Sequence, residues 1–590
     1  MFKQAAIEKS FRKAFIILTL SELAAAIGPV IDGVIIAAFY GAAGVRQYGL
    51  VNPMIIAYSV LGSVFAVGSV TLCSRLVGEG KTKEARGGFS VAFIWVLALS
   101  VLITIVLLLL ATPMTKLLGA DPGAAEFFSE TRNYYIGLTI SFPATNLLLL
   151  LNAYMQVDND TARTLVSTIV LTVVDIAGDL LSVLVFRGGM LGMGLATSLA
   201  NYLALVVVLF HFAKKNAFFK PTFRNLPWRL TGQMLGSGLP AFAMLIGNTA
   251  AFIILNRILV WFDQAAALVA FTAMRSVFNI VSTVVKGLGR CVMTMAGFFF
   301  GERNKEEMMA LFRLMVKYTI IAGGAAAILV FFAASPLASI FTGKDSASML
   351  PEAALAVRCL AFYLPFMCFA AGYESFLRGA GQLKPSLIIT VLRDFFLPVV
   401  CGFVLSRIWG ARGIYGSLTA SNILLTAGLL VLMFLLSRKA EKSLAARIFF
   451  FPASFDIPEE DYLSANISTI PECVAFSVQI EMLCSEHGLD KRKAVFSALC
   501  LEEMGRNVLE HGFEGKKKNL ISAFAFIDKD QKIHLSIRDN CRPFSPMEWE
   551  KIHHDDEDRT SNIGIRMVSN LAEEMRYVNL MDMNSLYIRI

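Results

Sequence analysis

Apolar runs about 20 residues long recur along most of the chain and end well before its last residues. Lipid offers no partners to backbone N–H and C=O groups, so runs of this length predict membrane-spanning helices. We expect twelve such helices, at residues 15–40, 48–75, 88–111, 132–155, 162–186, 190–213, 233–260, 266–298, 311–333, 352–376, 385–407 and 413–436. From about residue 458 charged and apolar residues alternate, which is typical of a soluble α/β domain.

The predicted membrane body contains an internal repeat. Residues 78–84 (GEGKTKE) match residues 301–307 (GERNKEE) at an offset of 223, and Asp175 corresponds to Asp394 at an offset of 219. We therefore expect two parallel six-helix halves, at residues 10–213 and 233–437. Parallel repeats of this kind occur in transporters, where substrate is handled between the halves near the membrane midplane. The predicted domains are then a body at 1–437, an interfacial linker at 438–457 and a tail at 458–590.

Composition supports a membrane protein, because hydrophobic residues make up 56% of the chain and charged residues 17%. The net charge of +8 does not indicate a nucleic-acid partner, since the basic residues cluster in loops beside the apolar runs. Their distribution predicts a multi-pass protein of the cytoplasmic membrane, in contact with lipid and with both termini in the cytosol. The nine cysteines form no C-x-x-C pair, which argues against a zinc site or a disulfide framework.

Three carboxylates lie inside predicted membrane helices, namely Asp32, Asp175 and Asp179. A charge at that depth is costly, so such residues are usually functional or paired. Asp175 and Asp179 are one helical turn apart and should face the same cavity. Burial and mutual repulsion favour the protonated form of at least one carboxyl, as a proton-coupled carrier requires. Sodium bound between carboxylates and a purely structural hydrogen-bonded carboxyl are the alternatives.

Two cations, Lys286 and Arg290, lie one turn apart in the eighth predicted span. They could line a substrate cavity and bind an anionic substrate. Ion pairing, or extension of both side chains toward the membrane surface, explains them equally well.

The membrane body resembles the multidrug and toxic compound extrusion (MATE) family. The resemblance rests on residues 28–33 (GPVIDG), 74–80 (SRLVGEG), 175–179 (DIAGD) and 192–197 (GMGLAT), in that order. It implies an antiporter that takes up H⁺ or Na⁺ and exports small organic molecules. One branch of the family carries a glutamate two turns after a G-x-P motif, and this chain has Asn248 at that place in the cavity. The chain is therefore more similar to the branch whose coupling acids lie in the N-terminal half.

The tail resembles the GHKL ATPases, and most closely the serine kinases that phosphorylate anti-sigma-factor antagonists. The resemblance rests on E-x-x-x-N at Glu503 and Asn507, on D-x-x-x-P-F from Asp539 to Phe544, and on Gly564 before a helix. The surrounding pattern predicts a helix over 491–512 and strands over 520–527, 532–539 and 585–590.

The GHKL resemblance implies a site for ATP with Mg²⁺. Glu503 would activate a water or hydroxyl, Asn507 would hold Mg²⁺, Asp539 would accept the adenine amino group and Gly564 would approach the phosphates. Phe544 belongs to the same nucleotide motif. Cys541 and Asn562 replace glycines that the family favours, so binding could persist without turnover.

Three functions remain open from the sequence. The first is an ion-coupled exporter whose tail binds ATP or phosphorylates a protein target. The second is a membrane-tethered signalling kinase with the body as receptor, and the third is a flippase for lipid-linked precursors. Walker A is absent, and nothing in the body couples it visibly to ATP hydrolysis.

Overall fold

The computed structural model describes residues 2–79, 81–158, 160–212, 217–222, 224, 226–262, 265–342, 349–437, 459–513, 521–528, 530–547, 563–580 and 583–590. The chain divides into two compact units. One comprises Ala14–Phe450, and the other comprises Met1–Lys13 together with Phe451–Ile590. The predicted linker at 438–457 lies outside the described residues.

In the part of the chain that the structure describes, twelve helices are long and apolar enough to cross a membrane, which confirms the predicted architecture. They are α1 (Ile7–Gly41), α2 (Ala57–Gly78), α3 (Thr82–Leu109), α4 (Ala125–Val157), α5 (Ala162–Phe186), α6 (Gly189–Phe212), α7 (Leu230–Leu259), α8 (Val269–Gly301), α9 (Lys305–Phe332), α10 (Leu350–Gly379), α11 (Leu383–Trp409) and α12 (Ala411–Leu435). Two short helices, Ala111–Leu117 and Ala334–Thr342, occupy corresponding places after α3 and α9.

Large apolar side chains such as Leu109, Phe186 and Phe332 are exposed on the surface of this bundle. Contiguous exposure of that kind is unfavourable in water and is expected of helices that face lipid. The helical path between α1 and α2 is interrupted at Gly41, whose φ of 60° lies in the left-handed region that glycine adopts most easily.

The repeated loop glycines explain one contact between the two halves. An ideal Cβ on Gly78 would lie 2.8 Å from the Cα of Gly301, and a Cβ on Gly301 would lie 2.7 Å from the Cα of Gly78. The backbones of α2 and α8 therefore meet at their repeat-related ends, and only glycine permits so close an approach.

The tail is a five-stranded antiparallel sheet with helices packed against one face. In chain order its elements are β1 (Tyr462–Ile467), α13 (Ile470–Glu486), α14 (Lys491–His511), β2 (Ile521–Ile527), β3 (Ile533–Asp539), α15 (Ile563–Leu571), β4 (Glu574–Leu580) and β5 (Met583–Arg589). The strand order is β1-β2-β3-β5-β4. Strands β2, β3 and β5 occupy the predicted positions, whereas β1, β4 and α13 were not predicted.

Apolar side chains from α13, α14 and the three central strands form the tail core, with Phe476, Leu501 and Ile537 among the buried members. A capping box starts α13. Thr469 accepts a hydrogen bond from the backbone N–H of Glu472, and the Glu472 carboxylate accepts one from the backbone N–H of Thr469. This fold places the second half of α14 beside the end of β3.

Candidate ion site and candidate nucleotide site

The three predicted carboxylates are buried in the N-terminal half. Asp32 on α1 is 9% exposed, and Asp175 and Asp179 on α5 are 3% and 1% exposed. Within the described part of the chain, Asp32 Oδ1, Asp175 Oδ1 and both oxygens of Asp179 have no hydrogen-bond partner. Asp175 is within hydrogen-bond reach of Thr197 on α6.

The three carboxylates share one electrostatic environment. Asp175 acts on Asp32, and both of them act on Asp179. Two tyrosines, Tyr48 and Tyr134, interact with all three acids and lie 6.1 Å apart between ring centroids. The structure therefore places the acids of α1 and α5 in one buried environment.

In the tail, Asp539 ends β3 and is held by its neighbours. Its Oδ1 accepts hydrogen bonds from the backbone N–H of Cys541 at 2.9 Å, the Cys541 thiol at 2.6 Å and Asn584 Nδ2 at 2.6 Å. All three bonds fall on Oδ1, so none of them uses Oδ2. Burial raises the pKa of Asp539, and the three donors oppose that effect by stabilising its charged form.

Asn584 connects this carboxylate to a wider network. It stands opposite Asp539 across β3 and β5, and its Oδ1 accepts from Tyr577 at 2.7 Å and from Asn579 at 2.6 Å. The Tyr577 hydroxyl in turn accepts from the backbone N–H of Phe544 at 3.0 Å. The loop after β3 is therefore fastened to the final hairpin, which fixes where Asp539 can point.

Helix α14 positions Glu503 and Asn507 one turn apart, and both are half-buried. Gly564, in the first turn of α15, abuts the first of them, because an ideal Cβ there would lie 2.3 Å from Glu503 Oε2. Just after the end of α14, a Cβ on Gly512 would lie 2.8 Å from the sulfur of Cys541. Gly564 thus lies beside the middle of α14, and the loop after Asp539 lies beside its C-terminal end. Asn562 lies outside the described residues.

A family model described as MatE matches residues 10–181 and 240–404, one stretch in each half of the body and together more than half of the chain. The chain belongs to the MatE family. A second model, described as a histidine kinase-like ATPase domain, matches residues 472–590. The protein is therefore a multi-pass MatE membrane protein with a C-terminal ATPase-type domain, which confirms both resemblances.

Curated relatives of this MatE chain include the multidrug export protein MepA of Staphylococcus saprophyticus. It is 21% identical over 419 residues, covering 69% of this chain and 90% of the relative. MepA of Staphylococcus aureus strain N315 is 21% identical over 423 residues, covering 69% of this chain and 92% of the relative.

Solved structures show the same fold. The MATE transporter VcmN of Vibrio cholerae, in its bent form, gives a TM-score of 0.67 at 18% identity, covering 73% of this chain and 97% of that one. A MOP superfamily transporter from Pyrococcus furiosus gives 0.67 at 19% identity, covering 72% of this chain and 94% of that one.

The C-terminal half of the MatE body has a different site at the position related by the repeat. Asp394 on α11 corresponds to Asp175, but Arg393 beside it makes two hydrogen bonds to its carboxylate, at 3.0 and 2.7 Å. The residue at the offset of 219 from Arg393 is Val174, which carries no charge. Among the described residues, the N-terminal half thus contains buried acids without a basic partner, and the C-terminal half contains an acid neutralised by its neighbour.

The remaining predicted cavity residues lie in less enclosed places. Lys286 is exposed, and Arg290 is paired with Glu22 of α1 at 2.9 Å. This arrangement favours the ion-pair interpretation of Arg290 over an anion site. Asn248 is half-buried on α7.

Sequence reasoning missed Tyr48, Tyr134 and Asn584. Each contributes to a site only through contacts between elements distant in the chain. Tyr134 lies in a polar stretch of α4 (AEFFSETRNYYIGLT), so nothing local distinguished it, and nothing local distinguished Asn584.

Proposed function

We propose that this MatE protein exports small organic molecules across the cytoplasmic membrane, driven by protons that return through Asp32, Asp175 and Asp179. The observation that carries the proposal is the set of buried carboxyl oxygens without hydrogen-bond partners among the described residues. An ionised carboxylate in that position is strongly disfavoured, so the acids hold protons until the site opens to water. Uptake on one side and release on the other supply the ion half of an antiport cycle.

The comparison of the two halves supports placing this coupling in the N-terminal half. Asp394 has a guanidinium partner within 2.7 Å, so its charge is stabilised without a proton. The N-terminal acids have no such partner among the described residues and can therefore exchange protons more readily.

Sodium is the competing ion, because hard cations bind carboxylate oxygens. Within the described residues no group of three His, Cys, Asp or Glu side chains is arranged to hold a metal. Because sodium also takes hydroxyl, amide and carbonyl oxygens, the proposal of protons rests on the unpartnered carboxyl oxygens instead. Transport driven separately by a pH gradient and by a sodium gradient distinguishes the two.

For the tail we propose ATP binding that regulates transport rather than powering it. Asp539 offers an acceptor for the adenine amino group, beside Phe544. Asn507 would hold Mg²⁺ together with the nucleotide phosphates, and Gly564 lets the start of α15 approach them. Glu503 has the chemistry of a base that could activate a water or the hydroxyl of a protein target. The basic residues beside the spans support a cytosolic position for this domain, where ATP is present.

The decisive experiment measures transport by the full-length protein in liposomes without ATP. We expect a pH gradient to drive accumulation of a fluorescent organic cation and a proton ionophore to abolish it. Asp179→Asn should also abolish it. The matched control is Asp121→Asn, which changes an exposed loop carboxylate bonded to the backbone of Gly123 at 2.9 Å. Transport that requires ATP hydrolysis and survives Asp179→Asn would refute the proposal.

Nucleotide binding to the tail is tested separately, by equilibrium dialysis of the full-length protein with labelled ATP and Mg²⁺. Asn507→Ala should weaken binding in the presence of Mg²⁺ and have little effect without it. Equal affinity of the variant and the native protein under both conditions would exclude the Mg²⁺ role of Asn507.

A further inference from the structure

Two consecutive residues of α11 form a two-bond ion pair. Arg393 Nε lies 3.0 Å from Asp394 Oδ1, and Arg393 Nη2 lies 2.7 Å from Asp394 Oδ2. Adjacent side chains of a regular α-helix do not face each other. Here the backbone forms a π-turn over Leu392–Phe396, which turns both side chains inward. Such turns are rare and often mark functional sites.

A second ion pair lies on the neighbouring helix α10. Arg378 is 3.5 Å from Glu374, and Ser386 of α11 donates a hydrogen bond to Glu374 Oε1 at 2.7 Å. Glu374 and Arg378 both act electrostatically on Asp394. The two pairs therefore form one buried cluster in the C-terminal half, with two cations and two anions.

The charges of this cluster balance, but its hydrogen bonds do not. The Arg393 side chain is 3% exposed, and its Nη1 is fully buried without a partner among the described residues. Arg378 Nε is also fully buried and has no hydrogen-bond partner among the described residues. A buried charged donor without an acceptor is costly, and proteins rarely retain one without a reason. Two in one cluster leave N–H donors available to an acceptor from outside the chain, either a water or a bound molecule.

We propose that Arg393 and Arg378 form a binding site in the C-terminal half for an anionic oxygen group of the cargo, as on a carboxylate or a phosphate. A guanidinium presents several N–H donors in a planar fork that matches both groups. The N-terminal acids become anionic when they release their protons, and they then attract a cationic group of the cargo. The cargo class is therefore a zwitterionic organic molecule. This inference rests on the proposed export function and narrows its substrate class.

The test compares two dyes that differ in one group, a rhodamine with a free carboxylate and its methyl ester. Binding to the full-length protein in detergent is measured by fluorescence polarisation. We expect the native protein to bind the free acid about tenfold more tightly, the size expected of a charge-assisted hydrogen bond. An adventitious preference for acids is checked with Arg412→Gln, which removes an exposed arginine paired with Glu352 and should leave the ratio unchanged.

Removing Arg393 alone would leave Asp394 as an unpaired buried charge and could prevent folding. The variant for the test is therefore the double substitution Arg393→Gln with Asp394→Asn, which removes both charges, keeps the shape of the side chain at 394 and shortens the one at 393. Its two dye affinities should agree to within about twofold, since the charge-assisted bond is lost. Competition by benzoate and by phenyl phosphate then shows which anionic group the site prefers.

Equal binding of the two dyes by the native protein would overturn the inference, and so would a preference that survives in the double variant. Failure of both benzoate and phenyl phosphate to displace the free-acid dye would also overturn it. Transport of the ester dye distinguishes a failure of the arginine site from a failure of the export function. If a pH gradient drives ester transport while the dyes bind equally, only the arginine site fails. If no gradient drives ester transport, the export function itself fails.

Discussion

Asn584 is expected to position Asp539 in the nucleotide site, although it does not belong to the sequence motif. Its side-chain amide donates to Asp539 at 2.6 Å and accepts from Tyr577 and Asn579 at 2.7 and 2.6 Å. Asn584→Ala removes these three bonds and a longer one to the carbonyl oxygen of Cys541 at 3.2 Å, at a position that is 2% exposed, where little water can replace them.

The magnitude follows from these contacts. The bond to the charged carboxylate contributes about 1.5–3 kcal/mol and each neutral bond about 1 kcal/mol. Allowing for partial relaxation, we expect the tail to lose roughly 3 kcal/mol of stability. Asp539 then moves more freely, and ATP affinity should fall about tenfold, which corresponds to roughly 1.4 kcal/mol.

Two measurements on the full-length protein test this expectation. Hydrogen exchange of β3 and β5 reports the stability of the strands that Asn584 joins, and equilibrium dialysis reports ATP affinity. Asn579→Ala is the control, because it removes a neutral bond to Asn584 but leaves the bond from Asn584 to Asp539 in place, so it should leave ATP affinity unchanged. If Asn584→Ala costs no more than Asn579→Ala and leaves ATP affinity unchanged, the network does not position Asp539.

Three further predictions concern packing and protonation. Gly238→Ala should lower the melting temperature of the body, because the new Cβ would lie 2.3 Å from a backbone oxygen of α2. Gly232→Ala on the same helix is the control and should not lower it, because no atom lies within 4 Å of a Cβ there. Gly505→Ala should destabilise the tail by about 1–3 kcal/mol in denaturant unfolding, since its Cβ would lie 2.6 Å from the Cys473 sulfur. Burial raises the pKa of Asp539, so ATP affinity measured by dialysis should fall as the pH drops through that raised value, and Asp539→Asn should remove this pH dependence.

The membrane architecture could be predicted because lipid leaves long apolar segments only one way to satisfy their backbone. The tail was harder. Strands β1 and β4 were missed, and the sheet order places both of them at its edges. An edge strand packs on fewer neighbours, and the residues of β1 (YLSANI) do not alternate cleanly between apolar and polar. The capping box at Thr469 and Glu472 was a local signal for α13 that the sequence did contain.

The candidate sites also have a part that could be predicted from the sequence and a part that could not. A carboxylate inside an apolar run can be recognised from the sequence alone, and Asp32, Asp175 and Asp179 could be identified for that reason. Their surroundings could not, because Tyr48 and Tyr134 reach the acids only after the helices pack. The pairing of Arg393 with Asp394 was also hidden, since a regular helix would turn these neighbours apart and only the π-turn brings them together.

The repeat gives both halves the same arrangement of helices, yet the residues next to their buried acids differ. Asp175 follows Val174, whereas Asp394 follows Arg393 in the corresponding place. A valine leaves the neighbouring carboxyl dependent on a proton or another cation, and an arginine supplies a permanent positive charge. Under the proposed function this single difference separates the tasks of the halves. The N-terminal acids exchange the coupling ion, while the C-terminal arginine keeps donors available for cargo.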